Sequence, residues 1–416
     1  MSLIRYISLL IIGIMILTTA HAGTVTVSKT SPYEVQWQHN YGSDWSGGRF
    51  QGPQPIGDCD NDGENELLIA GRDGTLQVME WDEQTRSYEE SAALHSPFYW
   101  YFLIRELLTG ISPPDAGGFA IGDVTNDGEN EIVATWYGAV YKYSNGQYNL
   151  IGLNNWIFKN GGGNGDCFVG DCDNDGENEV IMSGGGGSRQ NPVPEIVILK
   201  WVSGVLEKVA VYDDEANPGY AFMAGLGDTD NDGENEIAVG ITNYGNGPED
   251  HNRLLVLDWN KQEEVFEPTI LLETRGWNEA PFGGWCADSD GDGIDEIHFG
   301  YVAPRVSFFD WDEDSYVCSY DMFWDGEGML IEGLNVGDVD DDGIAEVCVG
   351  TDIVHILQWD GSTYVEEAVI DETYGDLAVV NVGDCDNDGK NEINVAPVFV
   401  DDGMDYIEWV FKYNGP

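Results

Sequence analysis

The chain has 416 residues, of which 76 are acidic and 17 are basic, so its formal net charge is −59. A charge of this size repels nucleic acid and anionic membrane surfaces, and we expect neither as a partner. Disorder is also disfavoured, because 42% of the residues are hydrophobic and 12% are aromatic, which is ample material for a core.

The N-terminus predicts a secretory signal peptide in residues 1–22. Arg5 precedes an apolar run over residues 7–17, and the small-residue motif AHA ends at Ala22. The run is too short to span a membrane comfortably, and no later segment is long and apolar enough to do so. We therefore expect residues 23–416 to form one soluble domain that is secreted or held at the cell surface without membrane insertion.

An acidic loop of one pattern recurs seven times, and we number these loops 1 to 7 in chain order. The copies read GDCDNDGENE from Gly57 and again from Gly170 (loops 1 and 3), GDVTNDGENE from Gly122 (loop 2), GDTDNDGENE from Gly227 (loop 4), ADSDGDGIDE from Ala287 (loop 5), GDVDDDGIAE from Gly337 (loop 6) and GDCDNDGKNE from Gly383 (loop 7). Counted from the first Asp, places 1, 3 and 5 carry side-chain oxygens, place 6 is Gly and place 9 is Glu. Alternating oxygens on a tight loop point at a common centre, and Gly allows the positive φ that the loop needs.

These loops predict calcium sites, up to seven ions with one in each loop. Oxygen ligands without His or Cys suit a hard cation, and solvated loops without metal are disfavoured because the carboxylates would repel one another. An EF-hand differs, since its closing Glu stands at place 12 between two helices. Loop 2, with Thr125 at place 3, is expected to bind most weakly. The candidate ligands are Asp58, Asp60, Asp62, Glu64, Glu66, Asp123, Thr125, Asp127, Glu129, Glu131, Asp171, Asp173, Asp175, Glu177, Glu179, Asp228, Asp230, Asp232, Glu234, Glu236, Asp288, Asp290, Asp292, Ile294, Glu296, Asp338, Asp340, Asp342, Ile344, Glu346, Asp384, Asp386, Asp388, Lys390 and Glu392.

Extended apolar segments flank every loop and predict β-hairpins, as in FAIG from Phe119 before loop 2 and ELLIAG from Glu66 after loop 1. The first Asp residues of the loops are 65, 48, 57, 60, 50 and 46 residues apart, which is the range of propeller blades. A second hairpin follows each loop hairpin. Four strands in each of seven repeats predict an all-β fold, a seven-bladed β-propeller of four-stranded antiparallel blades.

The two ends of the chain are expected to share the last blade. The seventh repeat ends after its third strand, whereas YEVQWQ from Tyr33 to Gln38 precedes the first loop without a hairpin partner. We therefore predict that the N-terminal strand completes the last blade and closes the ring, which removes open sheet edges.

Two sets of residues recur at fixed places and are interpreted as core. Cys59, Cys172 and Cys385 follow the first Asp of their loops and are expected to be buried small side chains, with disulfide pairing as the alternative. A Trp near the end of the third strand is expected in the core at Trp81, Trp201, Trp259, Trp311 and Trp359.

The loops and their spacing resemble the FG-GAP repeats of integrin α-subunit propellers and of exported microbial proteins, over residues 32–416. The resemblance implies calcium bound by the Asp and Glu residues given above, in a structural role. The GAP motif that follows the loop in integrins survives only loosely here, as VAP at 302–304 and 395–397. Together with a loop in every blade, this favours the microbial type over an integrin-like partner.

The face opposite the loops is expected to bind the ligand. In an antiparallel blade, the connectors between blades lie on the face away from the metal loops, and each connector contains a large aromatic residue. Exposed aromatic rings suit stacking on sugar rings and also occur at protein interfaces. The candidates are Trp45, Trp100, Trp156, Tyr220, Trp277, Trp324 and Tyr374.

These features favour a monomeric extracellular binding or adhesion module for a glycan or a cell-surface protein, without catalytic residues. A polysaccharide lyase is one alternative, because calcium-containing propellers of similar repeats occur in lyases, and His39, His95 and His251 are expected in loops on the connector face. A purely architectural surface protein is the other alternative.

Overall fold

A computed structural model describes residues 31–50, 52–109, 117–154, 157–158, 163–188, 191–243, 251–325, 328 and 332–415. The proposed signal peptide and Trp156 lie outside the described residues. Residues 31–416 form one compact unit.

The described strands form seven antiparallel sheets, which are the blades of a ring and confirm the predicted fold. Strand β1 (Tyr33–Asn40) comes first in the chain but belongs to the last blade. Blade 1 contains β2 (Arg49–Phe50), β3 (Ile56–Gly57), β4 (Glu66–Gly71), β5 (Thr75–Asp82) and β6 (Ser87–His95); helix α1 (Tyr99–Thr109) then leads to blade 2, with β7 (Phe119–Gly122), β8 (Glu131–Ala134), β9 (Ala139–Ser144) and β10 (Gln147–Gly152).

The remaining blades keep the same order of four strands. Blade 3 contains β11 (Gly163–Gly170), β12 (Glu179–Ser188), β13 (Asn191–Val202) and β14 (Val205–Asp213), and blade 4 contains β15 (Tyr220–Gly227), β16 (Glu236–Thr242), β17 (His251–Asn260) and β18 (Val265–Arg275). Blade 5 contains β19 (Pro281–Ala287), β20 (Glu296–Tyr301), β21 (Arg305–Asp312) and β22 (Ser315–Phe323); blade 6 contains β23 (Leu334–Gly337), β24 (Glu346–Gly350), β25 (Val354–Trp359) and β26 (Tyr364–Ile370); blade 7 contains β27 (Asp376–Gly383), β28 (Glu392–Phe399) and β29 (Ile407–Tyr413), completed by β1.

Ring closure follows the prediction. Strand β1 pairs antiparallel with β29, with Tyr33 opposite Tyr413 and Asn40 opposite Ile407. A register shift between Val35 and Trp37 marks a bulge in this outer strand. The N-terminal strand is therefore the fourth strand of blade 7.

Blade 1 departs from the pattern because its first strand is split into β2 and β3, which both pair with β4. Pro53 and Pro55 lie between the two parts and have no N–H group for the sheet. The carbonyl oxygen of Pro55 still accepts the N–H of Leu68 at 2.8 Å. The chain thus continues the first strand in two short pieces.

The core lies between neighbouring blades. Second strands such as β4 are buried at every position, whereas fourth strands such as β18 are largely exposed. One core cluster combines Leu68 and Leu76 of blade 1 with Phe119 and Ile132 of blade 2. Each blade therefore buries apolar side chains against the next one, which stabilises the ring in proportion to the apolar area removed from water.

The third-strand Trp residues are half-buried at the edge of this core, and not fully inside it. Trp81 lies opposite Tyr88 with ring centroids 4.9 Å apart, and Trp359 lies opposite Tyr364 at 5.1 Å. Trp259 and Trp311 likewise lie opposite Phe266 and Tyr316, whereas Trp201 lies opposite Leu206. These Trp residues therefore make the contacts expected of core residues, but they are less buried than predicted.

All seven cysteines lie among the described residues and are free thiols. Cys59, Cys172 and Cys385 are fully buried, as predicted. Two of them meet a tyrosine of the next blade, since Cys59 Sγ lies 3.1 Å from Tyr148 Oη and Cys385 Sγ accepts Tyr88 O–H at 3.1 Å. Their small size admits the tyrosine ring at the blade boundary.

Candidate functional site

Each acidic loop joins the first and second strands of its blade and is closed by its own first aspartate. In loop 1, Asp58 Oδ1 accepts the N–H of Asp62 and Oδ2 accepts the N–H of Gly63, both at 3.0 Å. The bond from Gly at place 6 recurs in the other six loops. Asn61 at place 4 has φ 64° and Gly63 has φ 98°, values that Asn tolerates and Gly adopts freely.

The glutamate at place 9 begins the second strand and is buried in every loop. In loop 1, Glu66 Oε2 accepts the N–H groups of Cys59 and Asp60 at 2.7 and 3.3 Å. Burial raises the pKa of Glu66 to about 7 and the pKa values of Glu236 and Glu296 to about 8. A cation beside these carboxylates would favour their charged form.

Carboxylate oxygens lie close together in several of the loops. In loop 5, Asp288, Asp290, Asp292 and Glu296 each offer an oxygen, and these oxygens all lie within 4.8 Å of one another. Groups of three occur in loops 1, 3 and 4. A set of carboxylate oxygens at this spacing, which includes a buried glutamate, fits a hard divalent cation.

Two predicted ligand positions, place 7 of the loops and Thr125 of loop 2, differ from the aspartates and the place 9 glutamate. At place 7 the backbone N–H donates to place 5, as from Glu64 to Asp62 Oδ1 at 2.9 Å, and Ile294 and Ile344 have no side-chain oxygen. Only a main-chain carbonyl could ligate from those two residues. Thr125 of loop 2 turns its hydroxyl to Glu131 Oε1 at 3.2 Å.

Sequence reasoning missed the third-strand residue that faces each loop. It stands directly before the Trp or Tyr near the end of the third strand. In blade order the seven residues are Glu80, Lys142, Lys200, Asp258, Asp310, Gln358 and Lys412. The signal was present in the sequence, but it could be recognised only once the register between the third strand and the loop was known.

Sequence reasoning also missed a clasp between neighbouring loops, formed by Asn at places 4 and 8. Asn126 Nδ2 donates to the carbonyl oxygen of Asn178 at 3.0 Å, and Asn126 Oδ1 accepts the N–H of Asn178 at 2.7 Å. Asn178 Nδ2 then donates to the carbonyl oxygen of Asp123 at 3.1 Å. The same clasp joins loops 7 and 1, loops 1 and 2, and loops 3 and 4.

The connector aromatics are not equivalent. Trp45 and Trp277 are exposed, although the Arg72 guanidinium lies 4.4 Å from the Trp45 ring centroid and Trp277 meets the edge of Phe282. Tyr220 and Tyr374 are half-buried.

The expectation of an exposed ring is wrong for Trp324, which is only 7% exposed. It stacks on His355 with ring centroids 4.4 Å apart. The chain turns this ring inward at the end of β22, so Trp324 contributes to packing between blades 5 and 6.

Trp100 belongs to a group of exposed apolar side chains on helix α1. It lies on α1, where Trp100 is 74% and Leu108 is 79% exposed, and Tyr101 and Ile104 are exposed as well. Spacings of three and four residues place these side chains on one face of the helix. We call these four residues the α1 stripe.

The three histidines do not form one group. His39 lies on β1, His95 ends β6 and His251 begins β17, so they belong to three different blades and to strands instead of the expected loops. His95 stacks on Tyr99 with centroids 4.3 Å apart. His39 packs against Trp37 and Tyr41 in blade 7.

No protein-family model and no curated protein matches the chain. Among solved structures, one described as "Structure of Dos1 propeller" is similar, with a TM-score of 0.48 and 11% sequence identity over 83% of this chain and 75% of that chain. Nothing about function follows from a likeness at this level. Among the described residues, no helix is long and apolar enough to cross a membrane.

Proposed function

We propose that the chain is an exported binding module that docks a protein partner through the α1 stripe, while calcium stabilises the loops on the opposite face. The observation that carries the docking role is the stripe itself. Soluble monomers rarely present large apolar side chains as one contiguous surface, and such surfaces usually mark an interaction site.

The geometry of the stripe favours a groove as its counterpart. Trp100, Ile104 and Leu108 are four residues apart, so they extend over roughly 12 Å of one helix face. An amphipathic helix with this spacing inserts its apolar side chains into an apolar groove of a partner. The helix contains one arginine, Arg105, and lacks the basic face of a helix that lies on an anionic membrane.

The charge of the chain indicates which charge the partner should carry at the edges of that groove. The net charge of −59 surrounds the stripe with an acidic protein, so a basic rim on the partner would accelerate association and exclude acidic competitors. We therefore propose a partner with an apolar groove and basic residues at its edges.

Calcium is proposed as the structural cation of the loops. Three observations support it: the resemblance to FG-GAP repeats, the convergence of carboxylate oxygens, and the buried glutamate at place 9. A site whose dissociation constant is tenfold below the free calcium concentration adds about 1.4 kcal/mol to the stability of the folded state. Together, several such sites would add a free energy comparable to much of the stability of a typical domain.

The docking role is tested with a triple variant of the stripe, Trp100→Ser, Ile104→Ser and Leu108→Ser. The matched control replaces three exposed valines of β14 by threonine, at Val205, Val209 and Val211. Each immobilised protein is incubated with the extracellular fraction of the producing cells, and captured proteins are quantified by mass spectrometry. We expect a partner that the wild type and the valine control retain and that the stripe variant binds about 1,000-fold more weakly, as for two hot-spot residues of about 2 kcal/mol each. Equal capture by a stripe variant of normal melting temperature would contradict the proposal.

Glycan binding is the second candidate, favoured by the exposed rings of Trp45 and Trp277 in two separate connectors. Aromatic faces stack on the apolar faces of sugars. A glycan array with the wild type and Trp277→Ala tests it, and this candidate requires a signal that depends on Trp277.

A further inference from the structure

Loop 2 holds a cation that the chain itself supplies. Lys142 Nζ lies 2.7 Å from Asp127, 3.1 Å from Glu129 and 2.8 Å from Glu131. The ammonium therefore offsets part of the negative charge of the loop, at the point where its carboxylates meet.

The same arrangement occurs in loops 3 and 7, which lie in different parts of the sequence. The contacts of the two lysines are Lys200 with Asp173, Asp175 and Glu179, and Lys412 with Asp386, Asp388 and Glu392. In all three loops the lysine reaches places 5 and 9, and in two of them it also reaches place 3. These places provide the converging oxygens of loop 5, where no lysine faces the loop.

A lysine in this position and a calcium ion exclude each other. Calcium binds carboxylate oxygens at 2.3–2.6 Å, and Lys142 Nζ already lies 2.8 Å from Glu131 Oε1 and 2.7 Å from Asp127 Oδ2. Both cations would need the same oxygens, and their charges would repel at that separation. The ammonium also marks the point in the loop at which a cation is stabilised, independently of the acidic cluster.

In blades 1, 4 and 5 the third-strand residue is acidic and adds to the cluster. Glu80 offers an oxygen within the same 4.8 Å group as Asp60 and Glu66. Asp258 lies in the electrostatic field of Asp232 and Glu234, and Asp310 lies in that of Asp290 and Asp292. Replacing lysine by an acid changes the charge beside the loop by two units and adds a hard oxygen ligand.

Blade 6 is intermediate, because its third-strand residue is neutral. Gln358 Nε2 donates to Asp342 Oδ2 and Glu346 Oε1, each at 2.9 Å. Rotation of the amide presents its carbonyl oxygen instead, which is an acceptable calcium ligand. This loop retains the capacity for an ion that the lysine loops lack.

We infer that the propeller supplies a cation to its seven loops in two ways: a lysine side chain serves loops 2, 3 and 7, and calcium serves loops 1, 4, 5 and 6. The inference rests on the calcium binding proposed above and replaces the expectation of one ion in each loop. The third-strand residue before the Trp or Tyr decides which cation a loop takes.

The first test is the number of bound ions. The purified protein is stripped with a chelator, dialysed against saturating calcium and measured by mass spectrometry of the metal. We expect four ions per chain. Five or more would overturn the division between loops but not calcium binding, whereas none would overturn the proposed calcium binding as well.

The second test exchanges the third-strand residue, with folding checked by circular dichroism in saturating calcium. Lys200→Gln should add one calcium ion per chain, and the matched variant Lys200→Arg, which keeps the charge, should add none. Asp310→Lys should remove one ion. If Lys200→Gln binds no additional ion, or if Asp310→Lys binds as many as the wild type, the inference is wrong.

Discussion

The clasp between loops 2 and 3 should contribute measurably to stability without any metal in either loop. Asn126→Gly removes both bonds of its side chain to Asn178, at 3.0 and 2.7 Å. A typical intramolecular hydrogen bond contributes about 0.5–1.5 kcal/mol, and Asn126 is exposed to solvent. We therefore expect a loss of about 1–2 kcal/mol in the free energy of unfolding.

The matched control is Asn145→Gly in the turn between β9 and β10. Asn145 has φ 56° and Asn126 has φ 57°, so glycine changes the backbone entropy at both positions in the same way. Urea unfolding at a fixed calcium concentration, followed by tryptophan fluorescence and circular dichroism, gives both values. If the two variants lose the same stability, the side-chain bonds of the clasp contribute nothing and the reasoning fails.

Three further outcomes are expected. Chelation of calcium should lower the melting temperature by roughly seven degrees, since four sites of about 1.4 kcal/mol each are lost together from a chain of this length; an unchanged calorimetric transition would refute this. Trp324→Ala should cost about 3–5 kcal/mol by loss of a buried ring, whereas Trp100→Ala should change stability by less than about 0.5 kcal/mol, and equal losses in calorimetry would show that the two positions are misjudged. Burial raises the pKa of Glu408 to about 7, above its unfolded value, so its favourable contribution is present below the unfolded pKa and is lost as the pH rises through 7. Glu408→Gln should therefore gain stability relative to the wild type at pH 8, on the order of 1–3 kcal/mol, and little at pH 5; a pH-independent difference would contradict the assignment.

Much of the fold could be predicted because the repeat is a complete structural unit. The acidic loop fixes the first hairpin, the spacing fixes the blade, and the unpaired strand at Tyr33 fixes the closure. The buried cysteines could be predicted as well. They share place 2 of the loop, and other copies have Val or Thr there, which indicates that a small side chain is needed at this place.

The differences between the loops could not be predicted, because they depend on contacts between segments that are distant in the sequence. Asn126 and Asn178 are part of the repeated loop sequence, but their pairing depends on how loop 2 lies beside loop 3. Lys200 meets loop 3 only through the register of β13. Trp324 lies just beyond the end of β22, where the alternation of a strand no longer predicts which way a side chain faces.

The uneven distribution of the clasps makes one boundary of the ring the preferred place for new chain ends. The two ends of the described propeller are adjacent, since Asn414 N–H donates to the carbonyl oxygen of Pro32 at 3.0 Å, and the clasp between loops 7 and 1 adds to the pairing of β1 with β29. Among the described residues, the Asn pair is missing at three boundaries, between loops 4 and 5, 5 and 6, and 6 and 7. Only between loops 5 and 6, with Gly291 and Ala345, do both places lack a polar side chain. A circular permutant that links Asn414 to Pro32 and has new ends between Phe323 and Leu334 would cut the ring at this boundary. Amide hydrogens there should also exchange earlier than those at the native closure, because the closure is held by both strand pairing and side-chain bonds.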